Sequence, residues 1–342
     1  MLGHPELVEG MDRFNKHIMT TINLSSPVSI KKSEFSISHK DAVFLIGSCF
    51  TENIGEKLTD NKFDVFTNPT GIIFNPISVV NSLKSVFEKK EYLFEDLREY
   101  NNKWFSFNHH GSFSSFDKEQ CLAKINQVNQ SAHDHLKKSK TIFITLGSAW
   151  VYKYERFGVV ANCHKIPNKN FIKRLLSVKE ILKAFEQIKA NLKDYNVVFT
   201  VSPVRHIKDG LHENNLSKAT LMLAINNLVE QHTNFHYFPA YELVIDELRD
   251  YRFYKDDLVH PTDLAVNYVW EKFMNCYFDK ETGLLVEEIQ KIKLAANHKP
   301  FNFGSEEHQQ FIMKQIGLMN DLSKKHDFLN FKAEVKQIST LK

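Results

Sequence analysis

Cysteine is scarce in this 342-residue chain: Cys49, Cys121, Cys163 and Cys276 lie far apart and form no C-x-x-C pair. So few thiols in so long a chain exclude a disulfide framework, and a reducing compartment, the cytoplasm, is the expected location. No apolar run approaches the roughly 20 residues needed to span a bilayer. Blocks of five or six like charges are also missing and the net charge is +3, which leaves no electrostatic footprint for nucleic acid or an anionic membrane. There is no internal repeat and no low-complexity segment. The first 24 residues are mixed polar and acidic and lack the basic-then-apolar order of a signal peptide. They are expected to form a loosely ordered extension, with Met11 and Met19 as alternative starts.

What the chain does contain is ordinary for a globular protein: 42% hydrophobic and 25% charged residues, enough for one large α/β domain or two small ones. The 28 Phe are unusual, and are expected to pack a core rather than line an aromatic binding surface. Short apolar runs at 42–46 (AVFLI), 63–66 (FDVF), 141–146 (TIFITL), 197–201 (VVFTV) and 235–238 (FHYF) read as strands buried on both faces. Helical patterns alternate with them at 53–58, 77–87, 119–136, 178–192 and 217–232, and a later helix is expected over 264–273 and another over 306–325. Alternation of this kind predicts a three-layer α/β fold around a parallel sheet. Two stretches break the rhythm. Residues 91–117 carry aromatics, two adjacent His and a Gly-Ser-rich turn. Residues 149–175 suggest a β-hairpin in WVYKY, ERFG and VVANC. Both are expected as insertions over the C-terminal edge of the sheet, where open α/β folds bind ligands.

The most informative segment is 43–55, VFLIGSCFTENIG. A strand ending at Gly47 leads into a sharp turn, with Thr51 as N-cap of a helix from Glu52. Cys49 then sits in the strand-to-helix turn at the positive end of the helix dipole. That environment lowers a thiol's pKa and offers backbone N–H groups to an oxyanion. Taken alone, the same cysteine reads equally well as a buried structural thiol.

GSCFTENIG resembles the first block of the SGNH (GDSL) hydrolases, Gly-Asp-Ser-x-Thr with a Gly four residues on. Gly47, Thr51 and Gly55 fall on matching positions; Ser48 stands where that family has Asp, and Cys49 where it has the nucleophilic Ser. Gly-Ser-Cys-Phe is the name-giving motif of the GSCFA family, grouped with the SGNH hydrolases, and the resemblance runs from about residue 25 to 300. It implies a flavodoxin-like three-layer sandwich with five parallel strands in the order 2-1-3-4-5, acyl chemistry, and no cofactor. A C-terminal helical extension is expected over 301–342.

Near the other end, YKDDLVHPTDLAVNYVW contains D-x-x-H-P, which resembles the last SGNH block, where an Asp and a His complete the triad. The physics is sensible without the analogy. A His needs a carboxylate at one ring nitrogen to fix its tautomer, leaving the other to take the nucleophile's proton. Asp257 is three residues before His260, and Pro261 pushes His260 out of helical geometry. Alone, the segment reads equally as the start of a helix with Asp256 or Asp257 as a surface charge.

The middle blocks fit less well. The family's second block supplies a Gly whose N–H faces the oxyanion; Gly71 in NPTGIIFNP stands there, although a simple turn glycine fits as well, and Asn68 and Asn75 flank it as side-chain donors, with Asn75 expected rather to cap the next helix. The third block should be Gly-x-Asn-Asp, and here it is Gly147, Ser148, Ala149 and Trp150. The missing Asn removes an oxyanion donor, for which Asn162 is the candidate replacement and Ser148 the second. Arg205 and His206 in SPVRHIKDG would project beside the triad, where the Arg fork suits a carboxylate or phosphate; a salt bridge to a neighbouring loop is the other reading of Arg205. Ser48 and Trp150 complete the candidate substrate contacts. His109, His110 and His164 with Cys163 match no usual zinc spacing, so no metal is expected. His133 and His135 are expected on a solvated helix face.

These readings converge on a Cys-His-Asp acyl hydrolase or acyltransferase: Cys49 attacks, His260 is base and then acid, Asp257 orients it. The expected partner is a small-molecule or glycan acyl ester. The rival reading is a non-catalytic binding or scaffold protein on a decayed hydrolase fold, and a third makes Ser48 the nucleophile with Cys49 structural.

Overall fold

A computed structural model describes residues 25–298 and 304–340. The expected extension at 1–24 and most of the linker near 298–303 lie outside the described residues. In chain order the first half runs β1 (Ala42–Gly47), α1 (Cys49–Asp60), β2 (Asp64–Thr67), α2 (Pro76–Phe87), β3 (Arg98–Tyr100), β4 (Lys103–Phe105), α3 (Lys118–Lys138) and β5 (Ser139–Leu146). It continues through β6 (Trp150–Tyr154), β7 (Gly158–Val160), β8 (Ile172–Leu175), α4 (Val178–Glu186), β9 (Asn196–Val201), α5 (Leu211–Gln231) and β10 (Phe235–Tyr237). Four helices follow: α6 (Asp263–Tyr277), α7 (Lys280–Asn297), α8 (Glu306–Lys325) and α9 (Lys332–Thr340).

The five expected strands form one parallel sheet in the order β2-β1-β5-β9-β10, which is 2-1-3-4-5 when the sheet strands are numbered alone. Alternation along each strand divides the core. Phe44 and Ile46 of β1, Ile142 and Ile144 of β5 and Val197 and Phe199 of β9 meet α2, α3, α4 and α5 on one face. Val43, Leu45, Phe143 and Val198 point the other way, into α1 and α6. Helices on both faces of a parallel sheet make the three-layer, flavodoxin-like sandwich. Phe residues do concentrate in these interiors, with Phe44, Phe50, Phe185, Phe199 and Phe273 all fully buried. A further apolar cluster, Leu285, Ile289, Met319, Phe331 and Ile338, ties α7, α8 and α9 together.

Three sequence expectations need correction. The first helix begins at Cys49 with Ser48 as its N-cap, not at Glu52 with Thr51, because the Ser48 hydroxyl accepts the Phe50 N–H at 3.3 Å. The 178–192 pattern breaks after Glu186, and the chain resumes only as a single turn at Lys189–Leu192. His135 is buried rather than solvated: its Nε2 lies 3.1 Å from the Val43 carbonyl, where the pairing of β1 with β5 shifts register between Ala42 and Val43 and leaves that group in need of a partner. His133 likewise reaches the Val86 carbonyl, 2.8 Å from its Nδ1.

Both insertions are present. β3 and β4 pair antiparallel, and β6 pairs with β7 as the expected hairpin; β8, which shows little hydrophobic alternation, adds to the other edge of β6. Phe105, Phe107, Val160, Ile166 and Phe171 pack the two insertions against each other in a core of their own.

The turn at the end of β1 fixes the edge of the sheet. Gly47 has φ +143°, and a Cβ on it would lie 2.1 Å from the Thr145 carbonyl oxygen of β5. Its N–H donates to Asn68 Oδ1 (2.8 Å) and its carbonyl accepts from Ile73 N (3.0 Å). Gly47→Ala is therefore expected to cost about 3 kcal/mol or more, since both the φ value and the contact with rigid backbone oppose a methyl group. Urea unfolding of the two proteins measures it, and a difference within 0.5 kcal/mol, the usual range for surface changes, would show that the turn is not constrained in this way.

Candidate functional site

Cys49 is the first residue of α1, so its sulfur stands at a helix N-terminus on the C-terminal edge of the sheet. The backbone N–H groups of Phe50 and Cys49, and then Lys218, favour the thiolate. They do not prevail. Burial, followed by the nearby Glu52 carboxylate, pushes the Cys49 thiol above its ordinary pKa, contrary to the lowering expected from the helix dipole alone.

Asp257 and His260 meet as one unit. Oδ1 of Asp257 accepts the N–H groups of Val259 and His260, both at 2.9 Å, and Oδ2 lies 2.7 Å from His260 Nδ1. These hydrogen bonds hold the Asp257 carboxyl down at about 2. Two backbone links, Lys255 N to His260 O and Thr262 N to Phe253 O (both 2.8 Å), close the loop around the pair. Thr262 rather than Pro261 starts the following helix, its hydroxyl accepting from Ala265 N. Both side chains of the dyad remain about half exposed, at 47% and 50%. Among the described residues no hydrogen bond joins His260 to Cys49.

His206 is the second imidazole of the site. It follows β9, its N–H is held by Asn214 Oδ1 at 3.0 Å, and its ring packs edge-on to Phe74. Its Nε2 lies 3.5 Å from where a Cβ on Gly147 would stand, a point also 3.4 Å from Ser48 Cβ. Burial, with Lys218 and then His260 adding like charge, brings its pKa down to about 4, so it is a neutral imidazole at pH 7. Arg205, the residue before it, packs on Tyr254, which pairs with Pro261, and so brings the Asp257–His260 loop to this edge of the sheet.

Several expected donors are engaged elsewhere. The Gly71 N–H donates to the Asn68 carbonyl at 2.8 Å inside its own turn, and Gly71 (φ +74°) backs onto His110, so this N–H is not free for an oxyanion. Ser48 caps α1 and is almost fully buried. The Ser148 hydroxyl accepts Trp150 N (3.0 Å) and lies 3.4 Å from the Ser217 hydroxyl, which itself accepts Ala149 N. Asn75 caps α2, as expected. Asn162 Oδ1 accepts the N–H of His164 (2.8 Å), and no partner is described for its amide nitrogen.

A cavity of about 420 Å³ opens beside this edge, lined among others by Ser148, Trp150, Asn162, Arg205, His206 and Lys208. Cys49 lies outside its lining. Arg205 packs its guanidinium on the Tyr254 ring of the His260 loop, 5.3 Å from the centroid, and pairs with no carboxylate among the described residues. Trp150 is fixed by Nε1 donating to the Glu213 carbonyl (3.1 Å) and by Lys173 over its ring. His109 and His164 are neutral, brought to about 3 and about 4 chiefly by burial, and His164 stacks on Phe105. Among the described residues no three His, Cys, Asp or Glu side chains converge as metal ligands.

Asn68, expected as a side-chain donor beside Gly71, is in an αL conformation (φ 52°) and accepts the Gly47 N–H on its Oδ1. One residue of this edge escaped the sequence reading. Lys218 is 1% exposed on α5, with Nζ donating to the Gly147 and Ser202 carbonyls, both at 2.7 Å. One signal was available: Lys218 stands at i of the stripe completed by Leu221, Ile225 and Leu228, a charge on an apolar helix face.

Fold and site together define an α/β protein with a thiol at its first strand-to-helix turn. The GSCFA family profile matches residues 42–273, more than half of the chain, and that of the GSCFA domain protein C-terminal domain matches residues 289–340. The chain belongs to the GSCFA family. No curated protein matches it.

The electrostatics of Cys49 carry a signed test. Glu52→Gln removes a negative charge that opposes the thiolate, so the pKa of Cys49 falls and its alkylation at pH 7 rises about three- to tenfold. Peptide-resolved iodoacetamide labelling reads the rate, and an unchanged or slower Cys49 would refute the assignment of Glu52.

Proposed function

We propose that the protein is an acyl hydrolase or acyltransferase of the SGNH hydrolase kind, with Cys49 as nucleophile, His260 as base and acid, and Asp257 as the group that orients His260. The observation that carries the reading is the 2.7 Å Asp257–His260 bond on the same sheet edge as a thiol at a helix N-terminus. With Nδ1–H given to the carboxylate, His260 Nε2 is the acceptor, which is what a general base requires. It takes the Sγ proton as sulfur adds to the acyl carbon and the carbonyl electron pair moves to oxygen. Collapse breaks the bond to the leaving group, which receives that proton. Water, or an acceptor hydroxyl or amine, then gives a proton to His260 as it adds to the thioester, and the Cys49 sulfur leaves and takes that proton back. Catalytic hydrogen bonds are often open in apo proteins, and the Cys49–His260 bond forms with substrate bound.

The N–H of Cys49 and the neutral ring of His206 are the proposed oxyanion donors, with Asn162 as a further one from the cavity wall. Arg205 and Lys208 suit a substrate, small molecule or glycan ester, that carries an anionic group. Nucleic acid does not enter this reading. All four cysteines are free thiols, which supports a cytoplasmic location, and no described helix is long and apolar enough to cross a membrane.

A panel of short and long acyl esters and thioesters tests the proposal. An acyl adduct on Cys49 is expected by mass spectrometry, lost in Cys49→Ala, with His260→Ala lowering kcat/KM at least about 10³-fold and His206→Ala about 10²-fold. The rival reading, a binding protein, is favoured by the raised thiol pKa and the engaged Gly71 N–H. Saturable ligand binding with no adduct on any ester would establish that reading instead.

A further inference from the structure

Away from the thiol, the C-terminal end of α1 meets α6 and α7 around a cavity of about 510 Å³, a volume within the usual range of small-molecule sites. Its α1 residues, Lys57 to Asn61, lie eight to twelve positions beyond Cys49. At the helical rise this puts the cavity about 12–18 Å along the helix from the first turn that carries the thiol.

Two residues of the lining are fixed in place, and each keeps one polar atom without a partner. Asn61 is the C-cap of α1 and is 3% exposed. Its N–H donates to the Lys57 and Leu58 carbonyls, both at 3.1 Å, and its own carbonyl lies 2.9 Å from His39 Nε2. Its Nδ2 donates to the Lys57 carbonyl at 2.7 Å, so turning the amide over would press oxygen against oxygen. Oδ1 is therefore held as an acceptor, and it is buried with no partner among the described residues. Trp270 stacks on Phe273 and packs edge-on to Phe278, and its Nε1–H is likewise buried and unpartnered. An indole nitrogen can only donate. One fixed acceptor and one fixed donor on the same cavity are both unfavourable to leave unpaired, and each calls for a group that completes it. Neighbouring side chains cover the two atoms, and a rotamer change, common on binding, uncovers them.

The rest of the wall narrows the chemistry. The side-chain amides of Asn267 and Gln290 have no partner among the described residues, and each both donates and accepts. Lys57 adds further donors. Asp60, the one carboxylate, lies 2.8 Å from Lys293 Nζ, so the wall presents no free anion to a cation. Leu294, 73% exposed, contributes an apolar surface. Hydroxyl groups match amides because each also donates and accepts, and the C–H face of a sugar ring matches Leu294. A single water could pair with both orphan atoms, yet it takes up only about 30 Å³. From this wall we infer that the cavity is a saccharide site, sized for a mono- or disaccharide. The inference holds whether or not Cys49 is a nucleophile. Because α7 packs with α8 and α9 whereas α1 and α6 cover the sheet, a bound sugar also joins the C-terminal helices to the sheet.

Protein labelled with [15N-indole]tryptophan gives one indole signal for each of Trp104, Trp150 and Trp270, assigned by replacing each in turn with Phe. The titrants are glucose, galactose, mannose, N-acetylglucosamine, maltose and cellobiose, each up to about 10 mM. At least one is expected to move the Trp270 signal saturably while Trp104 and Trp150 stay in place, and calorimetry then gives its Kd. Trp270→Phe keeps the stacked ring and removes the N–H, so Kd rises about three- to tenfold, the worth of one hydrogen bond. Gln290→Leu, at a partly exposed position, weakens binding by a similar factor. A Trp270 signal that no titrant moves means that water alone fills the cavity, and overturns the inference. A sugar that moves Trp150 and not Trp270 puts the saccharide beside His206 instead, and overturns it too, as does an unchanged Kd in Trp270→Phe. Should that variant fail to fold, Gln290→Leu and the exposed Asn267→Ala carry the test, and an unchanged Kd in both overturns the site.

Discussion

At the end of β1 the backbone of Gly47 lies against the Thr145 carbonyl of β5 with no room for a side chain, and the C-terminal edge of the sheet is arranged from that contact. Because the chain can turn there, Ser48 falls at the cap of α1 and Cys49 at its first turn. Asn68, itself in a left-handed conformation, fixes the turn from the side of β2. Ser48 N donates to the Thr145 carbonyl at 3.2 Å, which draws the cap of α1 onto β5. One close approach thus couples three strand ends and a helix start.

The same edge leaves strand-end carbonyls that the ladder cannot satisfy, and buried carbonyls require donors. Lys218 answers that need at Gly147 and Ser202, and Asn214 supplies the opposite, an acceptor for the N–H of His206. Structural necessity and chemistry are therefore hard to separate here. A lysine that satisfies two carbonyls also places an ionisable amine at the ends of β5 and β9 and adds to burial in keeping His206 neutral. Glu52 opposes that amine at Cys49, so the acidity of Cys49 is a balance of opposed charges in a dry setting, where each is felt strongly.

The insertions form a second structure beside the first. Hairpin β6–β7, with β8 at its other edge, carries Trp150 and Asn162 on a small aromatic core shared with the β4 region. They wall a cavity whose lining includes Arg205 and Lys208 but not Cys49, Asp257 or His260. Arg205 joins the cavity to the Asp257–His260 loop by packing on Tyr254.

Much of this was legible from residue order. Continuous apolar runs marked all five parallel strands, since a strand covered on both faces has no polar side to interrupt it, and the strand-turn-helix pattern around Cys49 and the spacing of Asp257 and His260 are local geometry. The cap at Ser48 was misread because Thr51 is an equally good capping residue by type, and only the β1–β5 contact decides where the helix begins. His135 read as solvated, and Lys218 drew no reading, because sequence does not tell which polar group on a helix will meet an unpaired carbonyl. Gly71 matched a pattern by position, but its N–H belongs to a turn whose closure depends on the backbone of Asn68. Sequence by itself determined the elements, their order and the local pairs, because those follow from neighbours within a few residues. The acidity of Cys49, the neutrality of His206 and the donors left free were decided only by tertiary structure, because they depend on burial and on charges brought together from strands and helices more than a hundred residues apart.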